Sequence, residues 1–266
     1  MSERHACELV GVGRSTLRYR SHHPTDEVAL VNSLREYAQQ YPQYGYRMIT
    51  ALLQREGYAV NHKRIECLWR QEGLQQPKRK AYKRRYGEGG DAKQRAAYPN
   101  HVWSYDFTAD RTERGQRVRV LAVMDEFTRQ CLMLYASSSI PSQQVVDLLD
   151  WLVMLHSMPE HIRSDNGPEF VAVQVKHWIT ERGGQTIYIE PGHPWENPFI
   201  ERFIGTLKSD CLNRYLFDSV AEAQTILDHW RVEYNSDRPH SSLDYLTPDA
   251  FATQHQYQIF LTSSGT

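Results

Sequence analysis

Residues 101–108 read His101-Val102-Trp103-Ser104-Tyr105-Asp106-Phe107-Thr108, an aromatic and β-branched run that follows the turn formers Pro99-Asn100. Such a run favours an extended strand, in which successive side chains point to opposite faces. Tyr105 and Phe107 then share one face, and Asp106 stands on the other. Working outward, Arg117–Met124 and Cys131–Ala136 are further apolar runs and read as strands two and three of a meander. Ser142–His156 reads as an apolar helix. His161-Ile162-Arg163-Ser164 is a short fourth strand, closed by Asp165-Asn166-Gly167 with its strong turn signal. A helix over Phe170–Arg182, a strand over Gln185–Ile189 and a helix over Asn197–Leu212 complete the pattern. From Pro99 onward the chain is therefore predicted to be α/β, built on a mixed five-stranded sheet with flanking helices.

Three carboxylates stand out because each sits where a rigid element can present it. Asp106 is in the first strand. Asp165 follows the C-terminal tip of the fourth, the end at which open α/β sheets bind ligands. Glu201 lies in the last helix, which begins with Asn197 as N-cap and Pro198 in the first turn. Ile200, Phe203, Ile204 and Leu207 recur at core spacing there, while Glu201, Gly205 and Lys208 form a second stripe about 100° away. That stripe offers an acid, a gap without a side chain, and a cation for a phosphate. Carboxylate oxygens are the ligands that hard divalent cations select. Two Mg²⁺ ions held about 3.5–4 Å apart neutralise the entering and leaving oxygens of a phosphodiester under in-line attack.

Spacing and flanking residues make the signal specific. There are 35 residues between Asp165 and Glu201, and Asp106, Asp165 and Glu201 together resemble the signature of the retroviral-integrase and transposase superfamily. Three further motifs carry the likeness: Pro191-Gly192-His193-Pro194-Trp195-Glu196-Asn197, Asp125-Glu126-Phe127-Thr128-Arg129, and Tyr234-Asn235 with Arg238-Pro239-His240 and Thr247-Pro248. With them nearly the whole chain is similar to the second-reading-frame (OrfB) transposase subunit of bacterial insertion sequences. Two positions depart from that family: Arg202 stands where a small residue is usual and Ile204 where a polar one is common.

The resemblance implies a ribonuclease-H-like catalytic core at 99–255, which the strand and helix order also matches. It implies that Asp106, Asp165 and Glu201 are both catalytic residues and ligands of two Mg²⁺ ions, with Mn²⁺ as substitute, and that Asn166 and His193 lie beside them. The implied activity is 3′-end cleavage of DNA followed by strand transfer, on double-stranded element ends and target. The implied partners are further copies of the chain on DNA and an upstream-reading-frame subunit or fusion. Two rivals make different predictions. A ribonuclease-H-type nuclease would take its carboxylate from the helix after strand three, where Asp147 and Asp150 are available, and a DNA-binding regulator would bind DNA without these acids.

Composition sets the remaining expectations. The chain has 266 residues and a net charge of −1, but the charge is unevenly divided: residues 1–98 carry +8 and residues 99–266 carry −9. The basic half is the expected DNA-holding half. Residues 1–24 read as a partial helix-turn-helix in which Arg14, Arg18 and Arg20 fall near one face. Residues 25–75 read as a helical DNA-binding insert with stripes at Val28, Val31, Leu34, Tyr37 and Ala38, then Ile49, Leu52 and Leu53, then Ile65, Leu68 and Trp69. Arg47, Lys63 and Arg64 are its candidates for phosphate contacts, which position DNA without specifying sequence. Residues 76–98 form a basic linker whose Lys78, Arg79, Lys80, Lys83, Arg84 and Arg85 would neutralise phosphates, as would Lys208. Residues 256–266 are expected to be a tail.

Four scattered cysteines without a Cys-x-x-Cys pair suit a reducing compartment and exclude a zinc knuckle. No apolar run reaches membrane-spanning length and no signal peptide is evident, so a bacterial cytoplasmic protein that meets the nucleoid is expected.

Overall fold

The computed structural model describes residues 2–18, 27–76, 95–164, 169–188 and 197–263, the side chains of 169–172, 188 and 256–263 apart. Asp165, Asn166, His193 and Arg20 lie outside the described residues, as does the basic run from Lys78 to Arg85. The chain divides into two compact units, 1–76 and 77–266. No helix among the described residues is long and apolar enough to cross a membrane.

The first unit is all α. Helix α1 (Glu3–Leu9) and the short α2 (Arg14–Leu17) are joined through Gly11, whose φ of +65° is a turn conformation that glycine adopts without strain. Arg18, just past α2, forks onto the Glu3 carboxylate at 2.7 and 2.9 Å. Helices α3 (Glu27–Gln40), α4 (Tyr46–Arg55) and α5 (His62–Gln71) share one core of Leu30, Leu34, Ile49, Leu53, Ile65 and Trp69. Asn61 caps α5 by accepting the Arg64 N–H at 2.9 Å. One expectation fails here: Val28 is 74% exposed, and Leu30 takes the core position. Two residues are about 200° apart on a helix, so the buried stripe centred on Leu30, Leu34 and Tyr37 leaves Val28 outside.

The second unit is a five-stranded sheet. Strands β1 (Val102–Arg111), β2 (Arg117–Asp125) and β3 (Cys131–Ser137) form the antiparallel meander. Strands β4 (His161–Ser164) and β5 (Gln185–Tyr188) join it in parallel, giving the order β3-β2-β1-β4-β5. Helices α6 (Ser142–His156) and α7 (Glu169–Glu181) supply the crossovers. They pack through Val145, Leu149, Val175 and Trp178 on the sheet face that carries Trp103, Tyr105, Leu121 and Val123. The opposite face, with Val118, Val120, Ala122 and Met124, is covered by α8 (Pro198–Asp210) and α9 (Val220–Ser236). Helix α10 (Pro248–Ser263) runs without interruption across position 256, where a tail is expected.

The motif from Tyr234 to His240 holds this second face together. Asn235 accepts the Cys131 N–H at 2.8 Å and donates to the Cys131 carbonyl at 2.9 Å, replacing a missing strand neighbour at the start of β3. Tyr234 stacks edge-on to Phe203 of α8 and to His240, with ring centroids 5.0 and 4.8 Å away. Arg238 pairs with the buried Asp210 at the end of α8. Because both Cys131 backbone groups lie in a buried setting, Asn235→Ala is expected to cost about 2–3 kcal/mol in urea unfolding. A loss under about 0.5 kcal/mol would mean that water replaces the amide.

Candidate active site

Asp106 sits in β1, the middle strand of the sheet, and pairs in register with Ala122. Residues directly opposite in an antiparallel pair project to the same face. Asp106 therefore faces the side covered by α8, opposite Tyr105 and Phe107, as its strand position predicts. It is partly buried, and its Oδ1 accepts the Phe107 N–H at 2.6 Å. On α8 the predicted core residues Ile200, Phe203, Ile204 and Leu207 are all buried, while Glu201, Gly205 and Lys208 are all exposed. The departure at Ile204 is thus a packing residue, and Arg202 is exposed. A Cβ at Gly205 would meet nothing within 4 Å, so the stripe between Glu201 and Lys208 is open. Asn197 precedes the helix as expected and accepts the Glu201 N–H at 3.3 Å through its carbonyl, but its side chain makes no cap bond.

β4 ends next to β1. Their register pairs Ser104 with Arg163, which lie two residues before Asp106 and Asp165 respectively. Here a buried network escaped sequence reading. The fully buried Glu126 accepts a hydrogen bond from Ser104 Oγ and pairs with Arg163 at 2.9 Å. Burial pushes the Glu126 carboxyl above the usual range, against the pull of Arg163. The available signal was a charged residue, Arg163, inside the short strand His161–Ser164. Asp125 is equally committed: it accepts the N–H groups of Asn100, Phe127 and Thr128 at 2.7, 2.7 and 3.0 Å. Both acids are thereby engaged in holding the β2–β3 turn.

The acids of the nuclease rival are placed differently. Asp147 accepts from Gln143, and Asp150 accepts from the Trp178 indole at 2.7 Å and pairs with Arg182 at 2.5 Å. Both belong to α6, which covers the sheet face opposite Asp106. Of the candidate DNA contacts in the first unit, Arg14, Arg47 and Lys63 are exposed and Arg64 is half-buried, whereas Arg18 is engaged by Glu3.

Among the described residues, one cluster has the composition of a metal site. His101, Glu160 and His161 bring their ligand atoms within 4.8 Å of one another, at the start of β1 and β4 and so at the far end of these strands from Asp106. Its hydrogen bonding does not suit a metal. The Ala97 N–H donates to His101 Nδ1 at 3.0 Å, which leaves the ring proton on Nε2, the atom 4.0 Å from Glu160. A metal-ligating imidazole has the reverse arrangement. Tyr98 donates its hydroxyl to Glu160, and that bond holds the carboxyl below its ordinary range. The group reads as a hydrogen-bonded clasp between the segment before β1 and the start of β4.

A meander of three strands, two parallel strands added beyond β1, helices on both faces and an acid in the central strand define the class: a ribonuclease-H-like integrase core. Residues 96–194 and 182–248 each match an integrase core domain family, and residues 25–82 match an HTH-like domain. The chain is 37% identical over 258 residues to the insertion element IS407 uncharacterized 31.7 kDa protein of Burkholderia multivorans, covering 96% of this chain and 92% of that one. It is 30% identical over 221 residues to the transposase for insertion sequence element IS904 of Lactococcus lactis, covering 78% and 87%. In fold it is similar to a chain of the simian T-cell lymphotropic virus intasome, with a TM-score of 0.50 and 16% identity over 83% of this chain and 74% of that one. The chain belongs to the insertion-sequence transposases, in the second-reading-frame group of the integrase-core superfamily.

Proposed function

We propose that this chain cuts and joins DNA at an active site made of Asp106, Asp165 and Glu201, with divalent metal as cofactor. The observation that carries the reading is that Asp106 and the α8 helix bearing Glu201 share one face of the sheet, while the competing acids nearby are committed elsewhere. Asp165 follows directly on Ser164, the last residue of β4, and adjacent Cα atoms are 3.8 Å apart.

The donor set fits Mg²⁺, with Mn²⁺ as substitute, because it is made of anionic oxygen ligands on rigid elements. Two ions so held supply charge neutralisation at the entering and leaving oxygens of the phosphodiester. The residues of the chain do the rest. Asp106 stands on the central strand, paired with Ala122 of β2, and its Oδ1 accepts the Phe107 N–H at 2.6 Å. Glu201 presents its carboxylate from the solvent-facing stripe of α8, and Lys208, two turns on, offers an ammonium to a phosphate oxygen across the open position of Gly205. Asn166 and His193 would orient the reacting phosphate. In the first step water displaces a 3′ oxygen, forming one P–O bond and breaking another. In the second the freed 3′-OH makes the same exchange on a target strand, so no covalent protein intermediate forms.

DNA would be held by the basic half of the chain, with Arg14, Arg47, Lys63 and Arg64 contacting phosphates and the run from Lys78 to Arg85 adding charge. Further copies of the chain and an upstream-frame partner would complete the assembly. The test is a joining assay on a pre-cut, labelled element end with Mg²⁺ or Mn²⁺. Longer joined products that disappear with EDTA are expected. Cleavage without joining would favour a nuclease, and DNA binding without reaction a regulator.

A further inference from the structure

We propose that Arg129 is a positioning residue for Glu201: its guanidinium, laid on the Phe199 ring, braces the first turn of α8 against the β2–β3 turn. The inference rests on the reading of Glu201 as a catalytic residue. Three observations lead to it. Arg129 has φ +64°, the left-handed region that disfavours side chains and favours glycine. Strain of this kind persists where surrounding structure imposes it, and it often marks function. The turn itself needs no arginine, since Asp125 already organises it by accepting the Phe127 and Thr128 N–H groups and, through its carbonyl, that of Arg129 at 3.0 Å.

The side chain explains the residue. Its Nη1 donates to the Glu126 carbonyl, which anchors one edge, and its Cζ lies 3.8 Å from the centroid of the Phe199 ring. Phe199 is two residues before Glu201 in the same helical turn. That turn lacks the usual tie, because Asn197 gives no side-chain cap bond. Ile200 and Phe203 seat α8 on the core, Phe199 packs against the same core, and the Arg129 guanidinium covers its ring at the N-terminal end of the helix. A guanidinium suits this task better than an ammonium, because its flat face stacks on an aromatic ring while its edge donates.

The test uses the full chain with Arg129→Gly, Arg129→Lys and Phe199→Leu. Hydrogen exchange is read at residues 201–204 and, as an internal control, along α9, and joining is titrated with Mg²⁺. In Arg129→Gly the turn accepts glycine without strain, so the global unfolding midpoint should hold or rise. Exchange at 201–204 should quicken about tenfold in Arg129→Gly and Phe199→Leu while α9 stays unchanged, and the Mg²⁺ needed for half-maximal joining should rise several-fold. Arg129→Lys should fall between. Unchanged exchange at 201–204 overturns the proposal, as does equal quickening of α9, which would mark a general loss of stability. Quickening confined to 201–204 together with joining that Glu201→Gln leaves unchanged would support the brace and overturn the catalytic reading of Glu201.

Discussion

Glu201→Gln is expected to lower Mg²⁺-dependent joining by roughly 10²–10³-fold or more while leaving the fold and DNA binding intact. Removing a single preorganised group that stabilises transition-state charge costs on this order. Gln keeps the size of the side chain and loses the charge, so under the proposed function the metal would lose an anionic oxygen while the helix keeps its packing. The structural cost is small for two reasons. Glu201 is exposed, and substitutions at exposed positions outside special features usually stay within about 0.5 kcal/mol. It does lie in the first turn of α8, where its charge complements the helix dipole, but that effect is also well under about 1 kcal/mol at a solvated position. Single-turnover joining, an unfolding curve and a DNA-binding titration on the same preparation separate these effects. Joining within threefold of wild type would remove Glu201 from the mechanism.

Acidification should destabilise the fold through His240. Burial, with the charges of Arg238, Arg129 and Arg202 added, holds its imidazole down to about 3. Its Nε2 is buried with no hydrogen-bond partner among the described residues, so a proton there would be an uncompensated charge between α8 and α9. The unfolded chain binds that proton with a pKa of about 6.5. The folded pKa lies below the unfolded one, so the stabilisation is complete above about pH 6.5 and is lost as the pH falls toward 3. Each unit is worth about 1.36 kcal/mol, which gives a loss of about 2 kcal/mol at pH 5 and about 5 kcal/mol near pH 3.

Asp125, Glu126 and Glu233 act in the opposite direction, since burial raises their carboxyls and favours the fold at low pH. The comparison that isolates His240 is therefore with His240→Asn, whose amide can still donate to the Tyr234 carbonyl. Between pH 7.5 and 5.0 in urea, wild type should lose about 2 kcal/mol more than the variant. Equal losses would show that the imidazole is not shielded in the way its burial implies.

The strand carrying Asp106, the three meander strands and the stripe on α8 were all legible because each has a strong local period. Alternation in β1 assigned Asp106 to the face opposite Tyr105 and Phe107, and the spacing of Ile200, Phe203, Ile204 and Leu207 assigned the buried side of α8. Val28 was misplaced because the expected stripe joined two faces: Val28 lies about 180° from Tyr37 on a helix, whereas Leu30, Leu34 and Tyr37 fall within about 60° of one another and face α4 and α5.

Other features depend on partners distant in sequence and have no local period. Glu126 meets Arg163 and Ser104, Asn235 replaces a strand neighbour for Cys131, Arg238 reaches Asp210, and Arg129 reaches Phe199. In sequence these residues look like ordinary charges and turn formers. Sequence by itself therefore determined the element order from β1 to α8, the faces of β1 and α8, and the residue types able to hold a divalent cation, because backbone geometry imposes those periods one segment at a time. Tertiary structure alone decided which acids are committed to turns and ion pairs and which stand on the face shared by β1 and α8. That choice depends on desolvation and pairing between residues 22 to 104 positions apart in sequence, a separation that no local pattern encodes.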